Sequence, residues 1–187
     1  MVTMNNSIVS RINRTADCME ELPRANVGTL ITQLRVPNDS DRLQAREILT
    51  CIGAFAIPEL LNTLTTADTQ LRWEIIKVFE GIQNTNTIPA LVEQLKNEHA
   101  GVRWAASNAL LGFRRQAIPA LLEALMRDAD STWLRQSAHH ILHVLKDSGN
   151  LTSTEERVYQ ALEDLEPMVT VPWAAERALE ALRHNKN

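Results

Sequence analysis

The sequence predicts an all-α chain built as an α-solenoid, an α-α superhelix of stacked antiparallel helix pairs. Three observations predict it. Two unrelated phrases recur with one common period over four units. The apolar residues inside each phrase fall on one face of a helix. Glycine and proline number 6 and 7 in 187 residues, too few for a chain of tight β-turns.

The first phrase is Ile57-Pro58-Glu59-Leu60-Leu61 with Leu64, then Ile88-Pro89-Ala90-Leu91-Val92 with Leu95, then Ile118-Pro119-Ala120-Leu121-Leu122 with Leu125. Its isoleucine thus recurs as Ile57, Ile88 and Ile118, at a nearly constant interval. One period upstream of Ile57, Val27-Gly28-Thr29-Leu30-Ile31 with Leu34 repeats the phrase without its proline. Proline suits the first turn of a helix, where its missing N–H has no intrahelical partner. The apolar residues then follow at i, i+3, i+4 and i+7.

The second phrase reads Asp41-Arg42-Leu43-Gln44-Ala45, Leu71-Arg72-Trp73, Val102-Arg103-Trp104-Ala105-Ala106 and Leu134-Arg135-Gln136-Ser137-Ala138. Its arginine, as Arg42, Arg72, Arg103 and Arg135, keeps the same period as the isoleucine of the first phrase. Val102, Ala106, Ala109, Leu110 and Phe113 form its helical stripe. Polar, turn-forming pieces at 37–40, 65–68, 97–101 and 128–131 separate the two phrases of each unit. Each unit is therefore a short helix A followed by a helix B, and the hairpin buries its stripe only by stacking on its neighbours.

One solenoid domain is expected over residues 1–187. Residues 1–26 form an N-terminal capping helix with Ile8, Ile12, Met19 and Leu22 on one face, stopped by Pro23. Residues 27–147 form the four repeats and residues 148–187 the C-terminal capping helices. Thr152/Glu155 and Ser153/Glu156 both have capping-box spacing, opening a helix with Val158, Leu162 and Leu165 on one face. Val171-Pro172-Trp173 opens a last helix that runs to about Leu182.

Charge and cysteine usage narrow the function. Lysine plus arginine number 19 against 23 acidic residues, a net charge of −4, which argues against a general nucleic-acid binder. The two cysteines, Cys18 and Cys51, form no metal motif or disulfide framework and read as small buried hydrophobes of a reducing compartment. Residues 1–14 hold no unbroken apolar run, and no stretch reaches the roughly 18 consecutive apolar residues of a membrane span. A cytoplasmic protein without membrane insertion is expected.

The phrases Val102-Arg103-Trp104-Ala105-Ala106, Ala109-Leu110 and Ala117-Ile118-Pro119-Ala120-Leu121-Leu122 resemble HEAT-like repeats of the short phycobilisome-lyase (bilin lyase) type. The resemblance covers roughly residues 27–145 and implies a HEAT/armadillo-like fold, with the B helices lining the concave side. It also implies an acidic residue four positions before each arginine, supporting a salt-bridge ladder. Only Asp68 stands there, so a ladder through Arg42, Arg72, Arg103 and Arg135 is expected to be irregular.

The exposed face of each B helix follows from a rotation of about 100° per residue. Opposite the apolar stripe lie Leu43, Trp73, Trp104 and Gln136. Arg46, Ile76, Ser107 and His139 flank them on one side; Thr50, Glu80, Leu111 and His143 flank them on the other. Tryptophan buries a large area and still offers an N–H donor, so it is enriched where partners bind. The candidate partner-binding residues are Leu43, Arg46, Trp73, Ile76, Trp104, Leu111, His139 and His143.

Other candidates carry less. His139 and His143 have i, i+4 metal-ligand spacing, but no carboxylate or cysteine stands at a matching offset, so no metal is expected and the pair reads as a polar, pH-sensitive rim. No nucleophile elbow, P-loop, dinucleotide-binding or Cys–His signature is present. Arg114-Arg115 reads as a solvated loop, Glu155-Glu156-Arg157 as a helix start, and Trp133 and Trp173 as packing residues.

The leading expectation is a non-catalytic, cofactor-free module that binds a protein or peptide on its B-helix face, with no specific nucleic acid. The resemblance implies an alternative, a bilin lyase-like protein that holds or attaches a chromophore, with Arg46 or Arg42 meeting a propionate. A HEAT-type DNA-repair glycosylase needs a basic concave face, which the projection does not give.

Overall fold

A computed structural model describes residues 26–184; the N-terminal capping helix expected over residues 1–26 and Cys18 lie outside it, Asn26 excepted. Among the described residues the fold is an all-α solenoid of ten helices with no strand. The pairs are α1 (Val27–Gln33) with α2 (Asp39–Ile52), α3 (Ile57–Leu64) with α4 (Thr69–Ile82), α5 (Ile88–Gln94) with α6 (Ala100–Phe113), and α7 (Ile118–Arg127) with α8 (Thr132–Asp147). Helices α9 (Ser153–Leu162) and α10 (Pro167–His184) follow.

Local chemistry fixes the helix starts. Pro58, Pro89 and Pro119 sit in the first turns of α3, α5 and α7. The Asn26 side chain accepts from the Gly28 amide, Asn38 from Ser40, Asp68 from Leu71 and Ser131 from Leu134. Thr152 and Glu155 complete a capping box at α9.

The repeated arginine has a defined task at the turn from A to B. Carbonyls there have lost their helical partners. The Arg42 guanidinium donates to the carbonyls of Val36 and Pro37 at 2.7 and 2.8 Å. Arg72 donates to Ala67 at 2.8 Å, Arg103 to Asn97 and Glu98 at 2.8 Å each, and Arg135 to Ala129. The series expected as an irregular salt-bridge ladder is instead a regular series of carbonyl caps. Ion pairs between successive repeats join Arg42 to Glu74 at 3.0 Å, Arg35 to Asp68 at 3.2 Å and Lys96 to Asp128 at 2.9 Å, so of the four arginines Arg42 also pairs across repeats.

The chain divides into two compact units between Ile82 and Gln83. In the first, α1 packs on α2 and α3, and α4 on α2 and α3, around Leu30, Leu34, Leu49, Leu60, Leu71 and Ile75. Cys51 on α2 is disulfide-bonded and half-buried, which corrects the reading of a free buried thiol and removes the cysteine argument for a reducing compartment. The run Asp39–Leu64 is long and apolar enough, by length and composition, to cross a membrane. It is broken at Gly53, whose φ is 65°, and α2 alone has 14 residues, about 21 Å against a hydrocarbon core of about 30 Å.

In the second unit α5 packs on α6 and α7, and α8 on α6 and α7. The stripe Val102, Ala106, Ala109, Leu110 and Phe113 is buried, as are Leu91, Leu95, Leu121 and Leu125. The unit then closes with a changed order: α9 packs on the B helix α8, and α10 on the A helix α7. Arg114 turns α6 into α7 with a positive φ of 52°, where the turn after α2 has Gly53. Beside it, Arg115 is not a solvated loop residue. Its guanidinium grips the fully buried Glu155 carboxylate with two hydrogen bonds of 2.9 and 2.8 Å and donates to the Asn150 carbonyl at 2.6 Å.

Two further expectations are corrected at this end. The last helix starts at Pro167, and Pro172 lies inside it, removing the amide that would reach the Met168 carbonyl. Leu165 does not join the face of Val158; it stands 97% exposed in the turn between α9 and α10.

Leu121 tests the stack. Leu121→Ala should cost about 2–5 kcal/mol by leaving a cavity, and Leu121→Asp should unfold the second unit by burying an unpaired charge, both read from urea denaturation followed by circular dichroism. Arg115→Ala should cost about 3 kcal/mol because it strands the Glu155 charge, whereas an exposed arginine should change stability by less than about 0.5 kcal/mol.

Candidate functional site

The B-helix face that the sequence points to is built differently in the two units. In the first, Leu43 on α2 is 47% exposed. Ile76 is 0% exposed and offers nothing to a partner, which corrects its place among the candidates. The cause is the wide buried face of α4: Leu71, Glu74, Ile75, Ile76, Val78 and Phe79 are all buried, well beyond a single amphipathic stripe.

Glu74 explains much of that width. Its Oε1 accepts from Arg42 Nε and from Gln70 Nε2, each at 3.0 Å, and Arg46 stands 3.3 Å from Oε2. The Arg46 guanidinium also lies over the Trp73 ring, 5.4 Å from its centre. Trp73 is half-buried at the edge of this buried ionic cluster. Arg42 and Arg46, the pair that the bilin reading offers to a propionate, are already committed to Glu74.

In the second unit Trp104 on α6 is 59% exposed, while Leu111 two turns on is half-buried. The arginine beside Trp104 faces another way: Arg103 lies over the Trp133 ring at 4.0 Å. Trp133 remains 43% exposed, a stacked surface ring rather than a core residue.

His139 and His143 remain partly exposed, and both are engaged by neighbouring side chains. The Tyr159 ring from α9 stacks on both, 4.9 Å from His139 and 6.0 Å from His143, and Lys146 lies over the same ring at 4.6 Å. Glu163 draws the cluster together, accepting from Tyr159 Oη at 2.8 Å and meeting His139 Nε2 at 3.1 Å. His143 pairs with Asp147 at 3.6 Å. Among the described residues no three histidine, cysteine or carboxylate groups are placed to share a metal ion. The histidines serve the contact between α8 and α9.

Residues 57–143 match the family of HEAT repeats. That stretch is built of HEAT-like repeats. No curated protein and no solved structure matches the chain. The matched HEAT-like stretch starts at Ile57, so the first A–B pair, with the same two phrases and the same arginine cap, lies before it.

Sequence reading of the HEAT-like repeats missed Glu74, Tyr159 and the Arg115–Glu155 pair, none of which follows the period. It also missed a groove of about 350 Å³ beside α10, lined by Arg157, Trp173, Arg177, Glu180 and His184. Trp173 is 64% exposed with Arg177 stacked on it at 4.7 Å, so it is not a packing residue. The i, i+4 spacing of Trp173 and Arg177 was the available signal.

The hydrogen bonds from His139 and Tyr159 hold the Glu163 carboxyl below its ordinary value of 4.5, and the bond to Glu163 raises the Tyr159 hydroxyl. A depressed carboxyl contributes stability above its unfolded value and loses it as pH falls through the folded one. The contribution of Glu163 therefore begins to fall as pH drops below about 4.5 and is lost once pH has passed below the depressed folded value. Glu163→Gln should lose less stability than the parent chain on acidification from pH 5 to 3, as read from melting temperature against pH. The difference should be small because the site faces solvent.

Proposed function

We propose that the chain is a non-catalytic protein-interaction module whose B-helix face around Trp104 receives a peptide or a surface helix. The observation that carries this reading is the exposure of Trp104, a large ring held out on a rigid helix whose opposite face is core. HEAT repeats commonly serve as interaction scaffolds, which supports the same reading. The net charge of −4 favours a protein partner over nucleic acid. Leu111 supplies apolar surface beside Trp104. Arg46, Trp73, His139 and His143 are each engaged by side chains of their own unit.

A photo-crosslinking amino acid at position 104 should capture the partner from native lysate, and the identified partner then allows a quantitative comparison. Trp104→Ala should weaken its binding by about 2 kcal/mol or more with an unchanged melting temperature. Trp73→Ala should instead lower stability, by loosening the Arg46–Glu74 cluster. Binding that survives Trp104→Ala at full strength would exclude the face around it.

A further inference from the structure

Helix α10 buries Val171, Ala175, Ala178 and Leu179, and it packs on α7 and α9. Its opposite face carries Val169, Trp173 and Arg177 at i, i+4 and i+8, one straight stripe along the helix. Val169 is 67% exposed, Met168 beside it 59%, and Leu165 stands just before them in the turn. A solenoid face that meets water rather than a stacked neighbour needs polar side chains. Here Val169 and Trp173 lie exposed on that outward face, with Leu165 and Met168 exposed near the start of the helix, which marks an interaction surface rather than a solvated one.

The stripe runs into the groove beside α10, and the groove adds a sign to the surface. Among the described residues Arg157 enters it from α9 and Arg177 from α10, beside the carboxylate of Glu180, with Glu176 exposed next to the groove on α10. Among the described residues Arg35, Arg42, Arg46, Arg115 and Arg127 each form an ion pair, whereas none joins Arg157 or Arg177 to a carboxylate. Neither guanidinium has a carboxylate partner among the described residues, and planar guanidinium groups suit carboxylates. Arg177 is already ordered by stacking on Trp173, so little of its freedom is lost on binding.

We propose that this face of α10 is a docking surface, separate from the Trp104 face, for an amphipathic helix that carries acidic side chains along one edge. The apolar edge of that helix lies along Leu165, Val169 and Trp173, and its carboxylates meet Arg157 and Arg177. A straight i, i+4 ridge matches the groove of a packed helix, with helix axes roughly 8–10 Å apart.

The probe is a fluorescein-labelled helical peptide of about five turns, with leucine at i, i+3, i+4 and i+7 and glutamate at the remaining positions. Its counterpart carries lysine for glutamate. Anisotropy titrations with the full chain at physiological salt should show saturable binding of the acidic peptide and at least tenfold weaker binding of the basic one. Trp173→Ala and the double variant Arg157→Glu/Arg177→Glu should each weaken the acidic peptide at least tenfold, with melting temperatures unchanged because all three side chains lie at the surface. Trp104→Ala should leave the titration unaltered, which keeps this surface distinct from the one under the functional proposal. Equal binding of both peptides, or binding indifferent to Trp173→Ala, overturns the proposal. Concentration-dependent self-association that Trp173→Ala abolishes also overturns it, by assigning the surface to a second copy of the chain.

Discussion

Every A–B pair must turn the chain sharply after a helix of only two or three turns, and the turn exposes carbonyls that no helical amide can reach. The described structure answers this in all four pairs with the same group, an arginine near the start of the B helix whose guanidinium reaches back five or six positions to those carbonyls. The reach of the side chain and the fixed start of the helix set this geometry. The arginine therefore recurs once in every unit while the surface around it drifts in composition. Because a guanidinium carries five donors, it can cap the turn and still serve a second contact. Arg42 reaches Glu74 and Arg103 lies over Trp133, so one repeated residue gives each unit a different secondary link.

That divergence decides the fate of two tryptophans that the period makes equivalent. Trp73 precedes a buried glutamate held by Arg42 and Arg46, and its ring is drawn against Arg46. Trp104 precedes Ala105, which has no charge to bury, and its ring stays in solvent. A buried carboxylate needs partners on every side, and recruiting them costs the neighbouring surface its freedom. The second unit therefore keeps an open aromatic on its B-helix face, and the first keeps only Leu43.

The closing helices depend on a comparable arrangement. Glu155 caps α9 through the Thr152 amide and accepts both hydrogen bonds from Arg115, so the start of α9 is anchored to the turn between α6 and α7. With α9 fixed there against α8, α10 returns along α7, and its outward face carries apolar groups beside Arg157 and Arg177. The anchor orders the surface without occupying it.

The sequence by itself determined the two helices of each pair, the four-unit period, the buried stripes, the capping box and the turn positions. These follow from rules that act within about two helical turns: helical spacing, proline and capping preferences, and side-chain volume. It also placed Leu43 and Trp104 on outward faces, since opposition to a buried stripe is a property of one helix. What it left open was whether another element lies over such a face. Ile76 sits on the projected outer face and is buried; His139 and His143 sit there and are stacked by Tyr159, which arrives from the following helix. Arg115 reads as a loop charge until Glu155, far along the chain at the start of α9, is brought against it. Only the tertiary structure decided these cases, because exposure and ion pairing depend on which distant segments share a neighbourhood, and no local period encodes that.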